Sequence, residues 1–94
     1  MLTKLEQMEE AGDLLPFAHT KEELDSLLRM AARRLADAQL IQLSPESRLV
    51  NAYQCVLACA KGALRLMDYR VTNGSRQHYL TLETLADTLG LNAA

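Results

Sequence analysis

The stretch from Ser44 to Tyr69 constrains the fold more than any other part of the chain. Ser44-Pro45-Glu46 is a helix start: a hydroxyl cap, a proline at the first helical position, and an acid facing the positive end of the helix dipole. No proline follows. Leu49, Val56 and Ala63 alternate with Ala52, Cys59 and Leu66 in heptad-like steps, and Tyr53, Ala60 and Met67 broaden the stripe. The pattern predicts one helix of roughly 25 residues, about 37 Å long. A chain of 94 residues buries only a modest core, so a helix of that length has to be its spine. Its middle, Ala58-Cys59-Ala60-Lys61-Gly62-Ala63, is made of small side chains that let another helix come close. Gly62 costs about 1 kcal/mol relative to alanine inside a helix, so close approach is the reason expected for it. A buried central helix or a dimer seam would use such a stretch.

The segment before it is also helical. Thr20 followed by Glu23 is a capping-box pattern. Leu24, Leu27, Leu28, Ala31, Ala32, Leu35 and Ala38 then recur at helical spacing as one apolar stripe, ending near Leu40, with Asp25 and Arg29 able to pair on the wet face. Leu2, Leu5 and Met8 predict a short N-terminal helix over residues 2–11, closed by Gly12 and Pro16, with Leu14, Leu15 and Phe17 as an apolar clip. Asn73-Gly74 marks a turn, and a last helix starts at 75–77, presents Leu82, Leu85, Ala86 and Leu89 on one face, and stops at Gly90. No strand pattern is visible. Aromatic residues are 4% and Trp is absent, which suits packed helices better than sheets. The expectation is all-α: a small up-and-down helical bundle of three main helices plus a short N-terminal one, completed by dimerisation. It forms a single domain over 1–94, with the helix and clip at 1–19 and the bundle core at 20–90.

A formal net charge of −2 hides an asymmetry. Residues 1–28 carry two lysines against seven acids, whereas residues 48–80 carry Arg48, Lys61, Arg65, Arg70 and Arg76 against Asp68 alone. Such a chain can attract an anion at one end without being generally basic, although solvated helix faces would use the same charges. Cys55 and Cys59 sit four apart in a helical run, a poor route to a disulfide, and no secretory signal precedes them. Reduced thiols in a cytoplasmic protein are expected. No apolar run approaches the roughly 18–20 residues of a membrane span.

Polar chemistry gathers in residues 67–80. His78 lies in the first turn of the last expected helix, where the dipole disfavours imidazolium and would leave a neutral base. Arg70 and Arg76 flank it in sequence. Together the three side chains can hold a phosphate, with a guanidinium fork as clamp and the imidazole as base toward a neighbouring hydroxyl, as a metal-independent ribonuclease requires. An ordinary solvent-exposed helix junction is the plain alternative. Thiols amid Ala, Val and Leu read as small core residues rather than metal ligands, so no metal and no cofactor is expected. His19, just before the Thr20 cap, reads as a surface loop residue.

Three runs carry a resemblance: Leu43-Ser-Pro-Glu-Ser-Arg-Leu-Val-Asn-Ala-Tyr-Gln54, Leu64-Arg-Leu-Met-Asp-Tyr-Arg70 and Gln77-His-Tyr-Leu-Thr-Leu-Glu83. They resemble the HEPN domain superfamily, in particular bacterial members with an Ala-Tyr pair in the long helix and a Gly-Tyr-Arg…Gly-His-His segment at its end. Ala32-Arg-Arg-Leu-Ala-Asp-Ala38 is similar to the first bundle helix of that group, and the likeness covers roughly residues 20–90. It implies a helical bundle, usually dimeric, with the Arg–His segments of two protomers facing one groove. It further implies a companion such as a nucleotidyltransferase or an antitoxin in a toxin–antitoxin or defence system, and RNA or nucleotide as ligand. By position Arg70 matches the motif arginine and His78 the motif histidine. The chain departs from the active pattern: seven residues separate Arg70 from His78, a longer interval than in the ribonucleases; Val71 follows the arginine; and Asp68 and Gln77 replace the glycine and first histidine.

The long interval favours binding over cleavage. The leading expectation is therefore a HEPN-like module binding nucleotide or RNA phosphate at a dimer groove through Arg70, Arg76 and His78. The alternatives are a metal-independent endoribonuclease using Arg70 and His78, and a non-catalytic helical protein–protein interaction module.

Overall fold

The computed structural model describes residues 1–72, 74 and 76–90. The chain is mostly helical. Its spine forms where expected but ends sooner. The helix α3 spans Pro45–Leu66, opened by Ser44, whose hydroxyl accepts the Ser47 N–H at 3.1 Å. It stops because Asp68 takes a left-handed conformation, φ 62°, which turns the chain out of the helix. Aspartate tolerates that region better than most side chains.

The turn leads into a strand where none was expected, a small addition to a chain whose helical character holds. β1 (Leu14–Pro16) and β2 (Tyr69–Val71) pair antiparallel, with Leu14 opposite Val71, Leu15 opposite Arg70 and Pro16 opposite Tyr69. Backbone bonds continue the ladder at both ends: Phe17 N–H donates to the Asp68 carbonyl at 2.8 Å, and Thr72 N–H to that of Asp13 at 3.0 Å. Pro16 cannot donate to a ladder, and a two-stranded sheet has only edges, where proline is tolerated. The apolar clip is therefore a strand, and the last residues of the expected long helix are its partner.

Thr3 shortens the N-terminal helix. In α1 (Lys4–Glu10) its hydroxyl accepts the Glu6 N–H at 3.1 Å, and Glu6 Oε1 accepts the Thr3 N–H at 3.0 Å, a complete capping box. The Thr3 backbone N–H, and then the Thr3 hydroxyl, hold the Glu6 carboxyl below the usual carboxylate range. At the other end Gly12, φ 84°, lets Asp13 N–H reach back to the Met8 carbonyl and Gly12 N–H to that of Glu9, which closes the helix in a Schellman motif.

α2 (Lys21–Ala38) begins at Thr20, whose hydroxyl accepts the Glu23 N–H at 3.1 Å. The reciprocal half of the expected box is spent elsewhere: Glu23 Oε1 lies 3.0 Å from Arg65 Nε on α3. On the wet face Asp25 pairs with Lys21 at 2.7 Å rather than with Arg29. α2 and α3 pack antiparallel along their length; Arg48 Nε donates to the Ala38 carbonyl at 2.8 Å, satisfying the end of α2, and Arg34 bonds Asn51 at 3.1 Å.

Of the expected turn, Asn73 lies outside the described residues, as does Ser75. The last helix divides into α4 (Gln77–Glu83) and α5 (Leu85–Thr88). Thr84, fully buried, bonds its hydroxyl to the Thr81 carbonyl at 2.6 Å; a threonine hydroxyl competing for helix carbonyls interrupts the ladder. The buried residues of this segment are Leu80, Thr81 and Thr84, while Leu89 is 59% exposed, so the expected single apolar face is not continuous.

The core gathers at one end, where Leu5, Met8, Leu14, Leu64 and Leu80 meet under Tyr69 and Val71. Away from that end the α2–α3 hairpin is two helices thick and much of its apolar stripe stays in water: Leu28 is 62% exposed and Leu35 50%, with only Ala31 buried on α2. The molecule is accordingly elongated, 50 × 30 × 28 Å. Among the described residues no helix is long and apolar enough to cross a membrane.

Candidate anion-binding cleft

Arg70 and His78, eight positions apart in sequence, line one cleft. The fold brings them there by separate routes. The β1–β2 register fixes Arg70 opposite Leu15, while His78 follows Gln77 at the start of α4. α3 supplies the opposite wall with Lys61, Leu64 and Arg65; Val71, Gln77 and Thr81 complete the lining. The cleft measures about 120 Å³. Among the described residues, arginine and lysine side chains line it and no carboxylate does, which favours an anion there.

Arg65 differs from the other cations. Its Nε lies 3.0 Å from Glu23 Oε1, and both atoms are shut off from solvent without hydrogen-bond alignment, so the contact is ionic. Its Nη1 donates to the Tyr69 carbonyl at 3.1 Å, and its guanidinium lies 4.9 Å from the Phe17 ring centroid. Arg65 is therefore a brace between α2, α3 and the strands. The Arg70 guanidinium also packs on Phe17, at 5.6 Å, which holds it beside the cleft; among the described residues no carboxylate forms an ion pair with it. Lys61, Arg70 and His78 are the groups left to meet an anion. Gln77 adds an amide; the Thr81 hydroxyl already donates to the Gln77 carbonyl at 2.7 Å.

Arg76 is elsewhere. It sits at the exposed N-cap of α4, its guanidinium 5.2 Å from the Tyr79 ring centroid, and does not line the cleft. Of the three expected residues, then, two converge and one does not. Lys61 and Arg65 were missed, although their four-residue spacing on a helix places them on one face, a signal the sequence carries.

The two cysteines are unbridged. Partial burial, and then the neighbouring Cys55, push the Cys59 thiol up from its ordinary value, which keeps it a neutral thiol rather than a nucleophile or ligand. His19 is more than a surface loop residue: its Nδ1 lies 2.7 Å from Asp68 Oδ1, and its N–H donates to the same oxygen at 3.2 Å.

A second concavity, about 660 Å³ and open, runs between α2 and α3, walled by Leu24, Leu28 and Leu66 and floored by Cys59, Gly62 and Ala63. A Cβ built at Gly62 would meet nothing within 4 Å. Among the described residues the close approach expected at this glycine is not made. No family model, curated protein or solved structure matches the sequence.

Proposed function

We propose that the chain is a HEPN-like helical module that holds the phosphate of a nucleotide or RNA without cleaving it. The observation that carries this reading is the convergence of Lys61, Arg70 and His78, from three different elements, on one cleft that no carboxylate among the described residues lines. At about 120 Å³ the cleft suits a phosphate group, whereas pockets that enclose whole ligands run to several hundred cubic ångströms. Base and sugar would therefore stay outside, and recognition would be of the charged group. The guanidinium of Arg70 supplies a planar fork, Lys61 a point charge, and His78 a ring N–H. On this reading the chain works as a homodimer beside a nucleotidyltransferase or an antitoxin, in a toxin–antitoxin or defence setting. Each cleft is lined within one chain, so binding does not require the Arg–His segments of two copies to share a groove.

Titration of isotope-labelled protein with inorganic phosphate, a nucleoside monophosphate and a short RNA tests it. Saturable shifts confined to the cleft residues, weakened about tenfold by Lys61→Ala or Arg70→Ala, are expected; such a loss corresponds to about 1.4 kcal/mol. Absence of any saturable shift overturns it.

The second reading is a metal-independent endoribonuclease, favoured by the presence of Arg70 and His78 in the same cleft. RNA incubated with wild type and with His78→Ala in EDTA distinguishes the two. Cleavage by wild type alone would establish the enzyme; equal cleavage, or none, would leave the binding module.

A further inference from the structure

The cationic cleft is blind. Among the described residues, three elements wall it: α3 with Lys61, β2 with Arg70, and α4 with Gln77 and His78. Leu64 and Thr81, 1% and 4% exposed, are the lining residues that belong to the packed interior, and they close the floor. The space of about 120 Å³ equals that of roughly four water molecules at ~30 Å³ each, enough for one tetrahedral group with four oxygens. The mouth is the one side left for a covalent connection.

A phosphomonoester needs one such connection. Its single ester oxygen leaves through the mouth, and its three terminal oxygens face the three walls. A phosphodiester inside a strand has two ester oxygens on the same phosphorus, so the chain must leave in two directions. The floor and walls provide no second exit among the described residues.

The charges point the same way. Arg65 is balanced by Glu23 at 3.0 Å, whereas Lys61 and Arg70 form no ion pair among the described residues. Two positive charges are therefore left over. A phosphomonoester carries close to two negative charges above its second pKa, about 6, and a diester carries one. The monoester matches the two cations; the diester leaves one of them unmatched. Gln77 adds an amide donor, and His78 a ring N–H that is present in either protonation state.

We infer that the cleft selects a terminal phosphate, the monoester of a nucleoside monophosphate or of a phosphorylated RNA end, over the diester phosphates along a strand. The inference rests on the phosphate-binding reading and narrows its ligand. A strand is then held by its end, with the sugar, the base and the rest of the chain outside the mouth. An endoribonuclease has to admit an internal phosphodiester, so terminal selection also sides with binding over cleavage.

The test is titration of isotope-labelled protein at about pH 7.5, where the monoester is dianionic. The ligands are methyl phosphate, dimethyl phosphate, and one RNA tetranucleotide carrying a 5′-phosphate, a 3′-phosphate, or hydroxyls at both ends. Methyl phosphate and at least one phosphorylated strand are expected to give saturable shifts at Lys61, Arg70 and His78. Their affinities are expected to exceed those of dimethyl phosphate and the hydroxyl-ended strand by about tenfold or more. The phosphorylated strand that binds tells which end enters. Lys61→Gln removes one of the two cations and is expected to reduce the preference for methyl over dimethyl phosphate to about threefold or less. An undiminished preference in that variant overturns the charge matching. Equal affinity for phosphorylated and hydroxyl-ended strands overturns terminal selection and leaves phosphate binding in place. No saturable shift with any of the ligands overturns both.

Discussion

His19 Nδ1 and Asp68 Oδ1 lie 2.7 Å apart, and the same oxygen accepts the His19 backbone N–H at 3.2 Å. One carboxylate oxygen thus ties the segment leading into α2 to the left-handed residue that ends α3. The side-chain bond from His19, and then its backbone bond, hold the Asp68 carboxyl below its ordinary value. A depressed carboxyl pKa stabilises the fold fully above the unfolded-state value, about 3.9, and the contribution is lost as pH falls through the lower folded value. Thermal melts should therefore show Asp68→Asn less stable than wild type at neutral pH, with the difference shrinking below about pH 4. A difference independent of pH would assign the effect to backbone conformation instead.

The Glu23–Arg65 contact should behave as a partly buried ion pair. Their side chains are 31% and 19% exposed, so removing one partner leaves a charge poorly solvated. Glu23→Gln is expected to cost about 1–2 kcal/mol, discounted for that residual exposure. Arg65→Met should cost more, because it also forfeits the Tyr69 carbonyl bond and the Phe17 contact. In urea denaturation the double variant should be less destabilised than the sum of the singles; strict additivity would show that the pair is not coupled.

Core and hairpin should respond differently to truncation. Leu64, 1% exposed, belongs to the cluster joining α1, the strands and α4, and Leu64→Ala should cost about 3 kcal/mol. Leu28, 62% exposed, should tolerate Leu28→Ser within about 0.5 kcal/mol in the monomer. Denaturant midpoints at low protein concentration check both.

Arg70 and Arg76 should separate in phosphate binding. Arg70→Ala should weaken it about tenfold, whereas Arg76→Ala, which removes a cation stacked on Tyr79 outside the cleft, should change it less than twofold. Because the cleft interaction is between charges, affinity should also fall steadily as salt is raised from low ionic strength. Titrations at two salt concentrations give both results.

The helix starts were legible because a cap is a local device: Thr20 and Ser44 each act on a residue three positions away. The strands were not. A three-residue strand is too short to show alternation, and Leu15 finds its partner Arg70 far along the chain through the fold alone. The same holds for the cleft. Arg70 and His78 could be picked out as neighbours in a polar segment, but only β2 folding back beside α3 adds Lys61 and Arg65. Arg76 was assigned to the site on sequence proximity, and the ring of Tyr79, three residues on, draws it away. The division of the last helix turned on one buried hydroxyl, Thr84, whose effect depends on a burial that the sequence does not state.

The β1–β2 pair also fixes an order of events. It closes a loop of the 52 residues that lie between Pro16 and Tyr69. For a flexible chain of that length the closure costs about 3.5 kcal/mol beyond a constant. A few backbone bonds at about 1 kcal/mol net each cannot offset that cost and the ordering of both strands as well. Once α2 and α3 have folded against each other, however, their two outer ends already lie side by side, and the strands have little distance left to close. The clasp is therefore fastened last. Substitutions in the strands, such as Leu14→Ala, should speed unfolding and leave the refolding rate nearly unchanged, while those in the hairpin contact slow refolding.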